Sequence, residues 1–287
     1  MSKKLKKEQF SVLTAPYLHN SLEYALDSIA ANGFSQVELW AASPHYCMDD
    51  NRNLQDREKK IQSIYQMLTS RGLRLSAFHP EQHRQYPYNI ASPNEHIRAF
   101  SIEHMKAYVE DTVGLGCDKM ILCPGWEFLD QKNEDNRKRA VEAIHMISEK
   151  ANELGVTLYM EEMATIHSVF TDSMEKLAEL LEELGKENIK PCYDSYMADA
   201  NHESFEQYRS RFGNVDYIHF SDSNEDGYTA LGQGNKPLDA FLQKRVEEDY
   251  TGIFSISLWG GGYYKDPDAQ LRKTVDYLRY SDMIESF

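Results

Sequence analysis

The chain has 287 residues, of which 41% are hydrophobic and 27% are charged, a composition typical of a soluble globular protein. Its 31 Lys and Arg residues against 46 Asp and Glu residues give a formal net charge of −15. A chain this acidic is a poor partner for nucleic acid and for anionic membrane surfaces, because both are bound through clustered cations.

The N-terminal segment and the cysteines favour a cytoplasmic protein. The basic start MSKKLKKEQF precedes a segment that is too short and too polar for the core of a signal peptide. No apolar run approaches the roughly eighteen residues of a membrane span. The four cysteines form no CxxC pair and no zinc-finger spacing, which is typical of reduced thiols in the cytoplasm.

Short strand-like runs alternate with longer helical stretches along the chain. In chain order, the predicted strands are 10–15, 36–40, 74–78, 119–123, 156–161, 189–194, 215–220 and 253–258. The helices predicted after them are 21–32, 56–71, 95–115, 134–154, 173–184, 204–212, 238–248 and 268–279. Glycines such as Gly33, Gly155 and Gly185 follow these helices, as C-terminal glycines do. Eight β-then-α units predict a parallel sheet closed into a (β/α)8 TIM barrel.

An open doubly wound sheet is the alternative architecture. It would require a glycine-rich turn after the first strand, and the segment 16–21 (PYLHNS) has none. No Pro-, Gly- or Ser-rich linker divides the chain. We therefore expect residues 1–287 to form a single barrel domain.

Three polar residues fall at equivalent places at the ends of consecutive strands: Glu161, Asp194 and His219. Active sites of such barrels lie where strands end, and neighbouring strands are about 4.8 Å apart, so the three side chains can converge on one ion. Mixed carboxylate and imidazole ligation suits Mn²⁺, Mg²⁺, Co²⁺ or Zn²⁺. Each residue could instead be a strand-end polar group satisfied by neighbouring backbone. Period-two alternation places Glu161 inside the barrel and turns Glu162 towards the helices.

The three tryptophans of the chain, Trp40, Trp126 and Trp259, are all predicted at the same rim. Their faces could stack on a sugar ring, or they could simply close the barrel mouth by packing. His45 and Glu81, in the loops after the second and third strands, are further candidates for substrate binding.

Several segments of the chain resemble the xylose-isomerase-like sugar phosphate isomerase/epimerase superfamily, and within it most closely the fructoselysine 3-epimerases. The likeness covers nearly the whole chain. The segments that carry it are GFSQVELW with the following PH (33–45), PEQHRQYPYN (80–89), LYMEE (158–162), CYDS (192–195), YIHFSDS (217–223) and GQGNKPL (232–238). Among them, YPYN and HFSDS with GQGNKP are the most specific.

The resemblance implies a metal bound by Glu, Asp, His and Glu from strands five to eight, with the two glutamates also acting as acid and base. Glu161, Asp194 and His219 match three of these positions. The fourth position is Ser257 in this chain, and a further family glutamate, six residues beyond the strand-five ligand, is His167. Since serine is a poor base, the two-glutamate mechanism does not carry over intact. Histidine is the natural base near neutral pH, so His167 becomes a candidate catalytic residue beside Glu161.

Three functions remain open at this point. The first is a metal-dependent epimerase or isomerase acting on a ketose or sugar conjugate, and the second is a one-base lyase on an oxo-sugar or C-glycoside-type substrate. The third is a non-catalytic sugar-binding barrel. An endonuclease-like activity is disfavoured because the chain shows no basic stripe. The acidic 221–226 loop favours a small, non-phosphorylated sugar as partner, and homo-oligomerisation stays open.

Overall fold

The computed structural model describes residues 3–82, 88–128, 130, 134–260 and 263–287. Within them, eight parallel strands close into a barrel in which each strand pairs with its neighbour in sequence and the last pairs with the first. The strands are β1 (Phe10–Leu13), β2 (Gln36–Ala41), β3 (Arg74–Pro80), β4 (Lys119–Ile121), β5 (Thr157–Glu161), β6 (Ile189–Asp194), β7 (Tyr217–Phe220) and β8 (Ile253–Ile256). The predicted TIM barrel is confirmed.

Helices connect the strands and cover the outside of the barrel. They are α1 (Leu22–Ala31), α2 (Leu54–Ser70), α3 (Glu95–Gly114), α4 (Glu134–Glu153), α5 (Met174–Leu184), α6 (Ser195–Ala200), α7 (Phe205–Phe212), α8 (Leu238–Glu247) and α9 (Pro267–Tyr280). Several of these helices begin at a residue whose side chain accepts a hydrogen bond from a backbone N–H of the first turn, as Ser173 does for α5. The same helix ends at Gly185, whose φ of 57° is the left-handed conformation that glycine adopts without strain.

Every predicted strand and helix is present, with bounds that move by at most two residues. The first strand ends at Leu13 rather than 15 because the chain turns there into a short 3-10 helix, Ala15–Tyr17. Pro16 lies in that turn, and proline has no N–H to continue a strand ladder.

Besides short 3-10 turns, the described loops contain a helix and a hairpin that were not predicted. Helix α6 begins directly after β6, where the Asp194 carboxylate accepts hydrogen bonds from the backbone N–H groups of Tyr196 (2.8 Å) and Met197 (2.9 Å). After β7, a short antiparallel hairpin pairs Asp222–Asn224 with Gly227–Thr229. Both are too short for hydrophobic periodicity to reveal them.

The barrel interior holds a small apolar cluster, while most of the core lies between strands and helices. A polar chain crosses the same interior: the Ser11 and Ser76 hydroxyls are 2.6 Å apart, and the Ser76 hydroxyl is 3.0 Å from that of Tyr217. Tyr217 then donates to Glu38 (2.8 Å), which links the barrel floor to the strand ends. No helix in the described part of the chain is long and apolar enough to span a membrane.

Candidate active site

A cavity of about 220 Å³ opens at the carboxyl ends of the strands. Its walls combine aromatic and apolar side chains with acidic groups and two histidines. The lining residues are Trp40, His79, Glu161, Glu162, Met163, Ala164, Ile166, His167, Asp194, Tyr196, Met197, Tyr228 and Trp259. None of the described lining residues is a lysine or an arginine, so this part of the wall offers neither residue to a phosphate group.

The three residues predicted as metal ligands meet at the base of this cavity. The register of the barrel places Asp194 beside His219 and Glu161 beside Cys192. His219 Nδ1 is 2.5 Å from Glu161 Oε2 and 3.9 Å from Asp194 Oδ2. The Cys192 thiol lies close enough that Glu161, Cys192 and His219 bring three ligand atoms within 4.8 Å of one another. This arrangement can hold a cation.

A second group of three ligand atoms overlaps the first and includes Glu38, His79 and His219. The Glu38 carboxylate is completely buried in the barrel interior. Its Oε1 is 2.6 Å from His79 Nδ1, and its two oxygens are 3.1 and 3.2 Å from His219 Nε2. The two imidazole rings are nearly parallel, with centroids 5.7 Å apart. The site therefore contains two overlapping sets of candidate ligands that share His219.

Mutual interactions shift the pKa values of these groups. Burial disfavours the charged imidazolium of His219, but Cys192, Glu38 and Glu161 raise its pKa well above the usual value. Burial raises the pKa of Asp194 to about 7, and the neighbouring Glu161 adds to the effect. For Glu161 and Glu38 the attraction of His219 outweighs burial, so the pKa of each carboxyl is lowered. The pKa of the His219 imidazole is thus raised while those of the two carboxyls beside it are lowered, because the three groups attract one another.

Glu162 points away from this group, as the alternation of the strand predicts. Its carboxyl accepts hydrogen bonds from the Tyr208 hydroxyl and the Asn201 amide, both on the helical side. Burial and the neighbouring Glu203 raise the pKa of Glu162 to about 8. Glu161 and Glu162 are adjacent in sequence but have opposite electrostatic environments.

Two of the three tryptophans line the cavity. Trp40 is 2% exposed and packs edge to face against Trp259 at 4.7 Å and against His79 at 4.4 Å between ring centroids. Trp126 is half-buried next to Phe128 and is not among the described lining residues. The cavity also has a tyrosine pair that sequence reasoning missed: the rings of Tyr196 and Tyr228 stack with centroids 3.9 Å apart.

The other predicted site residues have different surroundings. His167 lines the cavity from the loop after β5. His45 is fully buried, and its Nε2 is 3.1 Å from the Tyr17 carbonyl oxygen and 3.2 Å from that of Asn20, away from the described lining. Glu81 is 1% exposed and also outside the described lining. Residues 86 and 87 of the YPYN segment, and Gly261 and Gly262 after β8, lie outside the described residues.

Ser257, which replaces the carboxylate implied on strand eight, is 1% exposed. Its hydroxyl accepts a hydrogen bond from the Trp259 indole N–H at 3.0 Å, and its backbone N–H donates to the Phe220 carbonyl oxygen at 3.1 Å. The serine thereby holds the indole N–H of a tryptophan that lines the cavity.

The sequence from residue 26 to residue 281 matches the family model described as the xylose isomerase-like TIM barrel. The chain therefore belongs to this family, which agrees with the resemblance found in the sequence. Fructoselysine 3-epimerase of Shigella flexneri is 20% identical over 262 residues, covering 90% of this chain and 92% of the relative. A probable endonuclease 4 of Ureaplasma urealyticum serovar 10 is 28% identical over 178 residues, covering 56% of this chain and 58% of the relative.

Solved structures show the same fold. The D-psicose 3-epimerase of Clostridium cellulolyticum H10, crystallised with D-tagatose, superposes with a TM-score of 0.75 at 15% identity, covering 95% of this chain and 98% of that chain. The IOLI protein, crystallised with a zinc atom, superposes with a TM-score of 0.74 at 18% identity, covering 95% of this chain and 99% of that chain. The chain thus has a sugar epimerase-like fold.

Proposed function

We propose that this chain is a divalent-metal-dependent epimerase or isomerase that moves a proton beside the carbonyl of a ketose or sugar conjugate. The observation that supports this most directly is the meeting of Glu161, Asp194 and His219 at the base of an aromatic-walled cavity. The relatives named as sugar 3-epimerases support the same reaction class.

Glu161, Asp194 and His219 would hold the metal. Two carboxylates and one imidazole suit Mn²⁺, Co²⁺, Mg²⁺ or Zn²⁺. The proton between His219 Nδ1 and Glu161 would leave when the cation binds, because imidazole is a ligand only through an unprotonated nitrogen. Such an ion acts as a Lewis acid that stabilises the negative charge formed on a carbonyl oxygen.

Glu161 is the first candidate for proton transfer. Its carboxylate faces both His219 and the cavity, so it can reach a substrate hydrogen as well as the metal. Epimerisation needs a second group, because the proton must be taken and returned on different faces of the carbon. His167, which lines the cavity, is one candidate for this role.

The cavity favours an uncharged or cationic substrate without a phosphate group. Its described lining includes the carboxyls of Glu161 and Asp194 and no lysine or arginine. Trp259, together with the Tyr196 and Tyr228 pair, offers aromatic faces to a sugar ring or to an attached group. A ketose, or a ketose conjugated to an amine, meets these requirements.

The test combines metal analysis with solvent deuterium incorporation into ketoses and sugar–amine conjugates. Asp194→Asn is the informative variant, because asparagine still caps α6 but removes one ligand charge. Asp266→Asn, at the N-cap of the distant α9, is the matched control. We expect Asp194→Asn to lose metal and exchange while its control keeps both. A wild-type protein that takes up no Mn²⁺, Co²⁺, Mg²⁺ or Zn²⁺ at saturation would refute the proposal.

A lyase is the second candidate function, and Ser257 is the observation that favours it. Elimination beside a ketone needs one base to remove the proton, so a missing strand-eight carboxylate matters less for a lyase than for an epimerase. Release of an aglycone or an unsaturated sugar, without deuterium in recovered substrate, would identify this reaction.

A further inference from the structure

The Glu38 carboxylate lies at the centre of the polar network beneath the cavity. It is 0% exposed and accepts hydrogen bonds from three groups on two other strands. These are His79 Nδ1 at 2.6 Å, the Tyr217 hydroxyl at 2.8 Å and His219 Nε2 at 3.1 and 3.2 Å. A buried carboxylate is stable only when its oxygens are satisfied in this way. Glu38 joins His219, the proposed metal ligand, to a second histidine in the cavity wall.

Resting on the function proposed above, we infer that Glu38 is a positioning residue that fixes the protons of both histidines, and that His79 is the second proton-transfer group of the site. A carboxylate can only accept hydrogen bonds, so each ring nitrogen that faces Glu38 must carry a hydrogen. The nitrogen on the other side of each ring is then the one free to act.

For His219, the nitrogen that faces Glu38 is Nε2. Nδ1 is therefore left for Glu161 and Asp194, which is where the cation would bind. Histidines that bind metals commonly donate their other N–H to a carboxylate, and this bond fixes the orientation of the ring. Glu38 gives His219 such a partner.

For His79, the ring nitrogen that faces Glu38 is Nδ1 instead of Nε2. The neutral ring therefore has its lone pair on Nε2. The ring is held from the side by Trp40, 4.4 Å away between centroids, and it lines the cavity. A histidine oriented by a buried carboxylate is the arrangement that makes imidazole an effective base in hydrolytic triads. His79 lies on a strand of the barrel, whereas His167 lies in a turn of the loop after β5.

The proposed step is a proton transfer with no other reactant. The C–H bond beside the substrate carbonyl breaks, and its electron pair forms the enediolate. The proton moves to His79 Nε2, and the resulting imidazolium is stabilised by Glu38. Glu161, after taking a proton from solvent, delivers it to the opposite face of the same carbon, and His79 then releases its proton to solvent, so that both groups regain their starting forms. In the reverse reaction the two roles are exchanged. In this chain His79 then supplies the second acid/base group, which the Ser257 hydroxyl cannot provide.

The first measurement needs no variant. In ¹⁵N-histidine-labelled, Zn²⁺-loaded protein, NMR should find hydrogen on Nδ1 of His79 and on Nε2 of His219, so that the two rings have opposite tautomers. Finding both rings in the same tautomer would overturn the proposal. So would zinc-induced shifts showing His79 Nδ1 as a metal ligand, because Glu38, His79 and His219 would then form the metal site themselves.

Variants separate the two roles of the network. Glu38→Gln should relax both tautomers and lower zinc affinity by about 10- to 100-fold, the usual effect of losing a partner of a metal ligand. His79→Gln should keep zinc affinity within threefold of wild type but reduce kcat for deuterium exchange at least 100-fold, with little change in KM. Tyr217→Phe, which removes the third donor to Glu38, should keep both tautomers and serves as the control.

The outcomes distinguish this inference from the proposed function. If the wild type binds no metal and exchanges no deuterium, the proposed function is wrong, and this inference falls with it even when the tautomers are as stated. If metal binding and exchange are both present but His79→Gln exchanges at the wild-type rate, only the role of His79 is wrong. If Glu38→Gln does not fold, the wild-type tautomers and His79→Gln still decide the matter.

Discussion

Replacing Ser257 with glutamate tests what the strand-eight position contributes. The serine hydroxyl accepts the Trp259 indole N–H at 3.0 Å, and Trp259 in turn packs on Trp40 with 4.7 Å between centroids. The new side chain would lie near the position from which a fourth carboxylate reaches the metal in the pattern implied by the family. We expect Ser257→Glu to destabilise the metal-free protein and to bind metal more tightly.

The magnitude follows from the contacts. Losing the hydrogen bond costs about 1 kcal/mol, and disturbing the tryptophan pair costs about 0.5–1.5 kcal/mol. Placing a carboxylate at a position that is 1% exposed adds a desolvation cost of several kcal/mol when no cation is near. We therefore expect the free energy of unfolding of the metal-free variant to be lower by about 3–5 kcal/mol. A 10- to 100-fold gain in metal affinity returns about 1.4–2.8 kcal/mol under saturating metal.

The assay is urea unfolding with and without Mn²⁺, with Ser257→Gln as the control of similar size and no charge. The stabilisation by Mn²⁺ should be larger for Ser257→Glu than for Ser257→Gln by at least 1.4 kcal/mol. Equal metal effects in the two variants would show that the position does not reach the metal. Turnover gives a second result: activity on a ketose should rise for an epimerase, while a lyase should become slower because the new side chain occupies an open coordination position.

Three further predictions concern stability and the cavity wall. Arg245 is completely buried over Phe205, so Arg245→Ala should lower the free energy of unfolding in urea by about 3 kcal/mol, whereas Glu247→Ala on the same helix should change it by less than about 0.5 kcal/mol. Burial raises the pKa of Glu206, but the Arg245 guanidinium outweighs this effect and holds that pKa below its usual value of 4.5. The pair therefore stabilises the fold above pH 4.5 and loses this effect as the pH falls through the lowered pKa. Acid unfolding of Glu206→Gln should accordingly depend less steeply on pH below 4.5. Trp259→Phe should reduce the fluorescence change caused by a bound sugar, and Trp126→Phe should retain it, because Trp259 is among the described lining residues of the cavity and Trp126 is not.

The barrel was predictable because its signals are local and repeated. Several helices begin at a capping side chain, and the strands are short runs with mostly buried side chains, so the predicted ends differ from the observed ends by at most two residues. The convergence of Glu161, Asp194 and His219 followed from the same logic, because parallel strands in register bring equivalent strand ends together.

The role of Glu38 could not be predicted in the same way. Its two histidine partners come from strands β3 and β7, and His79 is brought into reach by a register shift between β2 and β3 at Val37 and Glu38. Such a shift leaves no periodic signal in the sequence. One clue was available: Glu38 lies two residues before Trp40 on the same face of β2, so an inward-facing Trp40 requires an inward-facing Glu38.

The loss of the strand-eight carboxylate also changes the charge around the metal position. Glu161 and Asp194 together would neutralise a divalent cation, whereas the four-ligand pattern implied by the family adds one further negative charge. Glu38 does not replace it, because His219 Nε2 and His79 lie between this carboxylate and the ligands on the cavity side. A cation held by the three residues would therefore polarise a carbonyl oxygen more strongly but be held less tightly. A weaker metal site and a stronger Lewis acid would thus both follow from the same serine.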